Sequence, residues 1–153
     1  MVFTGQSDHT IDAKGRLAIP AKYRREEWGT GTPGSAWYCI PWPTGHLRLY
    51  TEATFNRLAS AQDGTLTPDE DVAEMERLLY GAAERLETDA QGRVVLPRWH
   101  TDEVRIGTEV TVVGARDRLE VHASASWKAA LEQRKTQMAA VLARMSARKP
   151  SAE

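Results

Sequence analysis

Apolar and polar residues along the chain recur with two different periods, one fitting strands and the other helices. Period-two alternation, with its short apolar runs, marks Arg16 to Ile19, Trp37 to Ile40, Leu47 to Tyr50, Glu109 to Val113 and Leu119 to His122. Thr10 to Asp12 reads as an extended entry to the first of these, and Gly15 supplies a turn position where positive φ is inexpensive. Pro20 ends that strand and can open a short helix over Ala21 to Arg25. Val72, Met75, Leu79, Ala82 and Leu86 recur instead at helical spacing. Thr67-Pro68-Asp69-Glu70 precedes them and reads as a capping box, with Thr67 at the cap. A last helix is expected from about Ala125 to Met145, with Trp127, Leu131, Met138, Leu142 and Met145 along one stripe. Thr51 and Ser124 stand where they can cap helices. Lys149 to Glu153 read as a frayed tail.

The strand-like segments come in two matching sets. Asp12-Ala-Lys-Gly-Arg-Leu-Ala-Ile-Pro20 aligns with Asp89-Ala-Gln-Gly-Arg-Val-Val-Leu-Pro97. Further on, Leu47 to Phe55 aligns with Leu119 to Trp127, and extra residues in the first copy fall in the loop Gly29 to Gly34. Two blocks in the same order imply an internal duplication. The expected organisation is one compact α+β domain. A first repeat covers 1–62, a linking helix 63–84, a second repeat 85–127, and a C-terminal helix with a basic tail 128–153.

Composition narrows the class. The chain has 153 residues, 41% hydrophobic and 27% charged, as ordinary globular proteins do. One cysteine, Cys39, excludes an intrachain disulfide and a cysteine-rich zinc site. No apolar run approaches the length of a membrane span, so a cytoplasmic protein is expected. The net charge of −1 is unfavourable for binding phosphate backbones, but the charge is segregated. Acids dominate from Asp63 to Asp89, whereas Lys14, Arg16, Lys22, Arg24 and Arg25 cluster near the start and Lys128, Arg134, Lys135, Arg144, Arg148 and Lys149 near the end. Segregation of this kind permits one basic face on a neutral protein.

The repeated Asp-x-x-Gly-Arg joins an acid that bonds local backbone, a turn glycine and a long cation. Asp12 and Asp89 read first as turn staples. Arg16 and Arg93 carry a planar fork that suits phosphate oxygens and guanine edges, although pairing with a carboxylate is an alternative use. With Phe3-Thr4-Gly5, Ile11-Asp12-Ala13-Lys14-Gly15-Arg16, Ile19-Pro20-Ala21-Lys22-Tyr23-Arg24, Asp89 to Arg93 and Val113-Gly114 with Leu119-Glu120-Val121, the chain resembles the MraZ family from Phe3 to about Trp127.

That resemblance implies the AbrB/SpoVT fold: tandem duplicated swapped-hairpin β units sharing one core, with short flanking helices and a C-terminal helix. It implies a transcriptional regulator of a bacterial division and cell-wall gene cluster, associated with the nucleoid, forming ring-shaped homo-oligomers on repeated promoter elements. Carried over to this chain, Arg16, Lys14, Arg93 and Gln91 face double-stranded DNA, while Asp12, Gly15, Asp89 and Gly92 organise the loops. Repeated contacts round a ring would also offset weak basicity by avidity. The chain departs from the family pattern at His122, where an aromatic is more usual, at Arg98-Trp99-His100 after Pro97, and around Trp37, Pro41, Trp42 and Pro43.

Other features have simpler uses. The five tryptophans are expected in the core or at a subunit contact rather than stacked on bases. His9, His46, His100 and His122 show no short metal spacing, so no metal or cofactor is expected. The acidic 69–76 run reads as the solvated start of a helix rather than as a mimic of DNA. The basic last helix either solvates an outer face or steers DNA. No Gly-x-Ser-x-Gly elbow, phosphate loop or His-Glu-x-x-His pair is present, which argues against an enzyme. An oligomeric scaffold of the same fold that does not bind DNA is the competing class.

Overall fold

The computed structural model describes residues 1–148. Eight strands and four α-helices follow in the order β1 (Gln6–Thr10), β2 (Arg16–Ala18), β3 (Ala36–Trp42), β4 (His46–Thr51), α1 (Glu52–Ser60), α2 (Glu70–Ala82), β5 (Glu84–Glu87), β6 (Arg93–Val95), α3 (Arg98–Glu103), β7 (Glu109–Gly114), β8 (Leu119–Ala123) and α4 (Ser124–Arg148). The architecture is α+β. Six strands form an antiparallel sheet in the order β1-β7-β8-β4-β3-β5, and β2 and β6 form a separate two-stranded ribbon.

The sheet is built around an approximate twofold between the two copies. At its centre β4 pairs with β8, with Leu47 opposite Val121, Arg48 opposite Glu120 and Leu49 opposite Leu119. Each copy then lends its first strand to the other. The first copy's β1 pairs with β7, and the second copy's β5 pairs with β3. The ribbon crosses in the same way, Leu17 lying opposite Val94.

Alternation along these strands decides what each face does. Leu47, Leu49, Val110, Val112, Leu119 and Val121 point inward and are fully buried, together with Trp37 and Phe3. The ribbon closes this core from the other side through Leu17 and Val94, both at 0% exposure. The opposite face of the sheet is covered by helices: Phe55 of α1 stacks on Tyr38 of β3 at 4.0 Å, and α4 crosses β7 and β8.

Several local expectations are revised. The segment after Pro20 makes a single 3-10 turn, Ala21–Tyr23, rather than a longer helix. The cap of α2 is Asp69, whose carboxylate accepts the Val72 N–H at 2.9 Å, so Thr67 and Glu70 do not form the capping box. An aspartate satisfies the orphan N–H of a first turn as well as a threonine does, and here it lies beyond Pro68. Leu86 belongs to β5, because the helix ends at Ala82. Thr51 caps α1 by accepting the Thr54 N–H. Ser124, by contrast, is the first residue of α4, and its buried hydroxyl is spent on Thr111 at 3.0 Å. Strand β3 runs on through Pro41 and Trp42, where it has only β4 beside it, so the missing proline N–H costs no bond to β5. The expectation for Lys149 to Glu153 lies outside the described residues.

Candidate nucleic-acid interface

The two Asp-x-x-Gly-Arg segments fold into nearly identical loops at the ends of the ribbon. In the first, the Asp12 carbonyl accepts the Gly15 N–H at 3.0 Å, closing a turn that needs the positive φ of Gly15, +80°. One Asp12 carboxylate oxygen accepts the backbone N–H groups of Lys14 and Arg16, both at 2.9 Å, and the other accepts Arg16 Nε. The second loop repeats this. The Asp89 carbonyl accepts the Gly92 N–H at 3.0 Å, its carboxylate accepts Gln91 N at 2.9 Å and Arg93 N at 2.8 Å, and Arg93 Nε lies 2.9 Å from the other oxygen.

The loops are also locked to each other. Leu96 N–H donates to the Gly15 carbonyl at 2.8 Å, and Ile19 N–H donates to the Gly92 carbonyl at 3.0 Å. Neither turn can shift without disturbing its counterpart.

Electrostatics follow from these bonds. The Arg16 backbone N–H, reinforced by the Arg16 side chain and the Lys14 N–H, holds the Asp12 carboxyl below its ordinary value against the pull of burial. Asp89 is held down in the same way by Arg93 and Gln91. Both are therefore ionised acceptors at neutral pH, unsuited to acid–base chemistry. Each pins the Nε of its arginine, leaving both terminal nitrogens of Arg16 to project, while one of those of Arg93 reaches the Gln91 side chain.

The ribbon's burial pattern orients the site. In both β2 and β6 the first residue is half-buried, the second buried and the third exposed. Leu17 and Val94 thus anchor the ribbon, while Arg16, Ala18, Arg93 and Val95 look outward, with Lys14 and Gln91 exposed at the loop tips. The structure brings Arg16, Lys14, Arg93 and Gln91 onto this one surface. Arg93 also donates to the Gln91 side chain at 3.3 Å.

Arg24 joins them, a residue the motif alone did not single out. Its Nε donates to the Ile19 carbonyl at 2.9 Å, and its side chain lies against the second loop, 2.8 Å from where a Cβ on Gly92 would stand. The signal was present in the basic stretch Lys22 to Arg25, but its contact is with the other copy, some seventy residues away. The close approach gives Gly92 a second reason to be glycine, beyond its φ of +78°.

The departure at Arg98-Trp99-His100 is resolved by the same symmetry. Tyr23 is buried, and its hydroxyl donates to the Thr4 carbonyl just ahead of β1 at 2.6 Å. In the second copy His100 occupies the matching place, buried, with Nε2 2.7 Å from the Ala82 carbonyl just ahead of β5 and Nδ1 3.2 Å from Cys39 Sγ. Both side chains tie a short turn to the start of the partner segment. Desolvation holds His100 below the ordinary histidine value, so it is neutral at pH 7. Burial pushes the Cys39 thiol far up, leaving it an inert core residue.

A second polar cluster lies on the helix-covered face. His46 and His122 stack at 4.6 Å, and Glu120 reaches both, at 3.5 Å and 2.9 Å. Their ligand-capable atoms lie within 4.8 Å of one another, a grouping invisible in the scattered histidines of the sequence. The carboxylate is already shared with Arg118 at 2.9 Å and Arg48 at 3.8 Å. Burial pushes Glu120 upward, but bonds from His122, His46 and Arg118 outweigh it and hold it well below the carboxylate range. Two guanidinium groups on the same carboxylate oppose a further cation. The cluster is an ion network stitching β4 to β8. Among the described residues, no helix is long and apolar enough to cross a membrane.

A duplicated β core presenting two arginine loops on a shared ribbon defines a class of small β-hairpin proteins with a paired polar surface. A sequence model of the family described as "MraZ protein, putative antitoxin-like" matches residues 2–30 and 79–149. The chain is 31% identical to the transcriptional regulator MraZ of Ligilactobacillus salivarius over 128 residues, covering 84% of this chain and 85% of that one. It is 34% identical to the transcriptional regulator MraZ of Neisseria meningitidis, covering 86% and 87%. With the protein of the same name from Pelodictyon phaeoclathratiforme it shares 32% identity, covering 74% and 78%. The chain belongs to the MraZ family.

Proposed function

We propose that this protein is a sequence-specific, DNA-binding transcriptional regulator of a bacterial cell-division and cell-wall gene cluster. It acts in the cytoplasm, on the nucleoid, as a homo-oligomer on repeated promoter elements, and its fold is the AbrB-like tandem swapped hairpin. The relatives' shared name, transcriptional regulator, supports the regulatory part, and a transcriptional regulator is not a class of enzyme.

The observation that carries the DNA-binding part is the outward face of the β2/β6 ribbon. A two-stranded ribbon is narrow enough to enter a major groove. Here it carries Arg16 and Arg93 at its two ends and Lys14 and Gln91 on the flanking turns, related by the twofold. Lys14 and the arginines contact phosphates or guanine edges, Gln91 contacts a base edge or the backbone, and Asp12, Gly15, Asp89 and Gly92 hold the loops in shape. Arg24, wedged between the loops, adds a further cation. The net charge of −1 is compatible because Asp12 and Asp89 offset only Arg16 and Arg93, and Lys14 and Arg24 leave the ribbon face net positive.

The test is fluorescence anisotropy with a labelled fragment from upstream of the protein's own coding region, against a scrambled fragment of equal length. The regulator reading expects preference for the native fragment that weakens as salt rises. Equal binding, or none, by folded and assembled protein would favour the scaffold reading.

A further inference from the structure

Helix α4 leaves the body of the protein after its first turns. Ser124 is buried and Trp127, Ala130 and Leu131 are half-buried, but every residue from Glu132 to Arg148 is exposed. This is about 25 Å of helix with no support from its own chain, whereas most helical stability in proteins comes from tertiary packing of an apolar face. Met138, Val141, Leu142 and Met145 are spaced i, i+3, i+4 and i+7, with exposures of 61%, 39%, 53% and 53%. They form one apolar stripe, the spacing by which a helix seats in a groove. The same stretch is basic, with Arg134, Lys135, Arg144 and Arg148 against Glu132 alone.

A second surface is also uncovered. Helix α2 has no fully buried residue, and Val72, Met75 and Leu78 are 42%, 39% and 66% exposed. Between α2 and the β3–β4 turn runs a groove of ≈ 430 Å³ lined by Pro41, Trp42, Pro43, Met75, Leu78 and Leu79, with Asp71 and Glu74 on its rim. It adjoins a depression reaching the half-exposed Trp99 and Glu103. Helix α2 carries Glu70, Asp71, Glu74 and Glu76 against Arg77. Within the chain α2 rests on β3 and α4 on β7 and β8, so neither surface covers the other.

We propose that the apolar stripe of α4 from one copy seats in the α2–β3 groove of a second copy. The fit is one of shape and sign: a basic amphipathic helix against an acidic apolar groove. Two α4 helices packed on each other would instead bring basic faces together. The contact is heterologous, leaving a free stripe at one end and a free groove at the other, so it propagates into a ring or an open filament. This inference rests on the homo-oligomer reading and names its surfaces.

The test uses the full chain with two variants at exposed positions, Leu142→Glu on the stripe and Leu78→Glu in the groove. Each is checked for a native circular dichroism spectrum and melt, and its mass is read by light scattering over micromolar concentrations. The expected result is an oligomeric parent, with both variants reduced to single-chain mass. Mixing the two should then restore a 1:1 dimer of twice that mass, because each variant keeps the surface the other lacks. If the parent is an oligomer and either folded variant keeps the full mass, the surface assignment is overturned while the oligomer reading stands. Dissociation of both variants without a 1:1 dimer on mixing also overturns the head-to-tail contact. A monomeric parent removes the oligomer reading and this inference with it.

Discussion

The loop geometry makes a quantitative claim about the two arginines. Asp12 fixes Arg16 Nε and Asp89 fixes Arg93 Nε, so in each loop only the terminal guanidinium nitrogens remain for a ligand. If Lys14, Arg16 and Arg93 each neutralise one phosphate, log K falls with log salt at a slope of about −2.7 per engaged protomer, or about 40-fold weakening from about 50 to 200 mM salt. Arg16→Ala lowers that slope to about −1.8, or about 12-fold over the same range. Because the two loops are equivalent, Arg93→Ala should change the slope equally. Arg16→Lys separates the roles. It keeps the charge, and hence the slope, but loses the fork, so any guanine readout falls by about 1–3 kcal/mol on the native fragment alone. The assay is anisotropy at five salt concentrations for the parent and three variants, with circular dichroism showing that each is folded. Parent-like slopes for both alanine variants would refute the placement of DNA on this ribbon, whatever the overall affinity. A large loss for one arginine and none for the other would refute the equivalence of the loops.

Three further outcomes follow from the packing. Leu17→Ala, at the buried anchor of the ribbon, should cost about 2–5 kcal/mol in urea unfolding, while Ala18→Ser on the exposed side should stay within about 0.5 kcal/mol; equal effects would mean the ribbon is not held through Leu17. His100 is neutral in the fold because burial lowers it from its ordinary 6.5, so the unfolded chain takes up a proton first as pH falls. Its contribution is complete above pH 6.5 and erodes below it, and His9, also lowered by burial, acts with the same sign. His100→Phe should therefore flatten the dependence of stability on pH between about 7 and 5 in denaturant titrations, and an unchanged slope would show that His100 titrates alike in both states. Glu120→Gln removes the carboxylate shared by Arg48 and the two histidines, leaving Arg118 only its Asp117 partner, and should destabilise by about 3 kcal/mol in the same titrations. A loss below about 1 kcal/mol would show that the network does not hold β4 to β8.

What the sequence determined alone is what short-range chemistry can specify. Asp12 reaches Arg16 and Asp89 reaches Arg93 across four residues, and Gly15 and Gly92 supply the positive φ each turn needs, so both loops were legible before any fold was known. Strands β2, β3, β4, β7 and β8 were legible too, since alternation over four or five residues is a local property, whereas β1 carried no such mark and Leu86 of β5 fell in with the helical spacing of α2. Tertiary structure decided whatever depends on register between distant segments. Setting Arg48 opposite Glu120 also set His46 opposite His122 and built an ion network from residues whose spacing suggested none. Exchange of β1 and β5 between the copies placed Arg24 against Gly92 and let His100 do for the second copy what Tyr23 does for the first. The stripes of α2 and α4 show the limit most plainly. Their periodicity announced helices with an apolar face, but only the packing revealed that neither face is buried within its own chain.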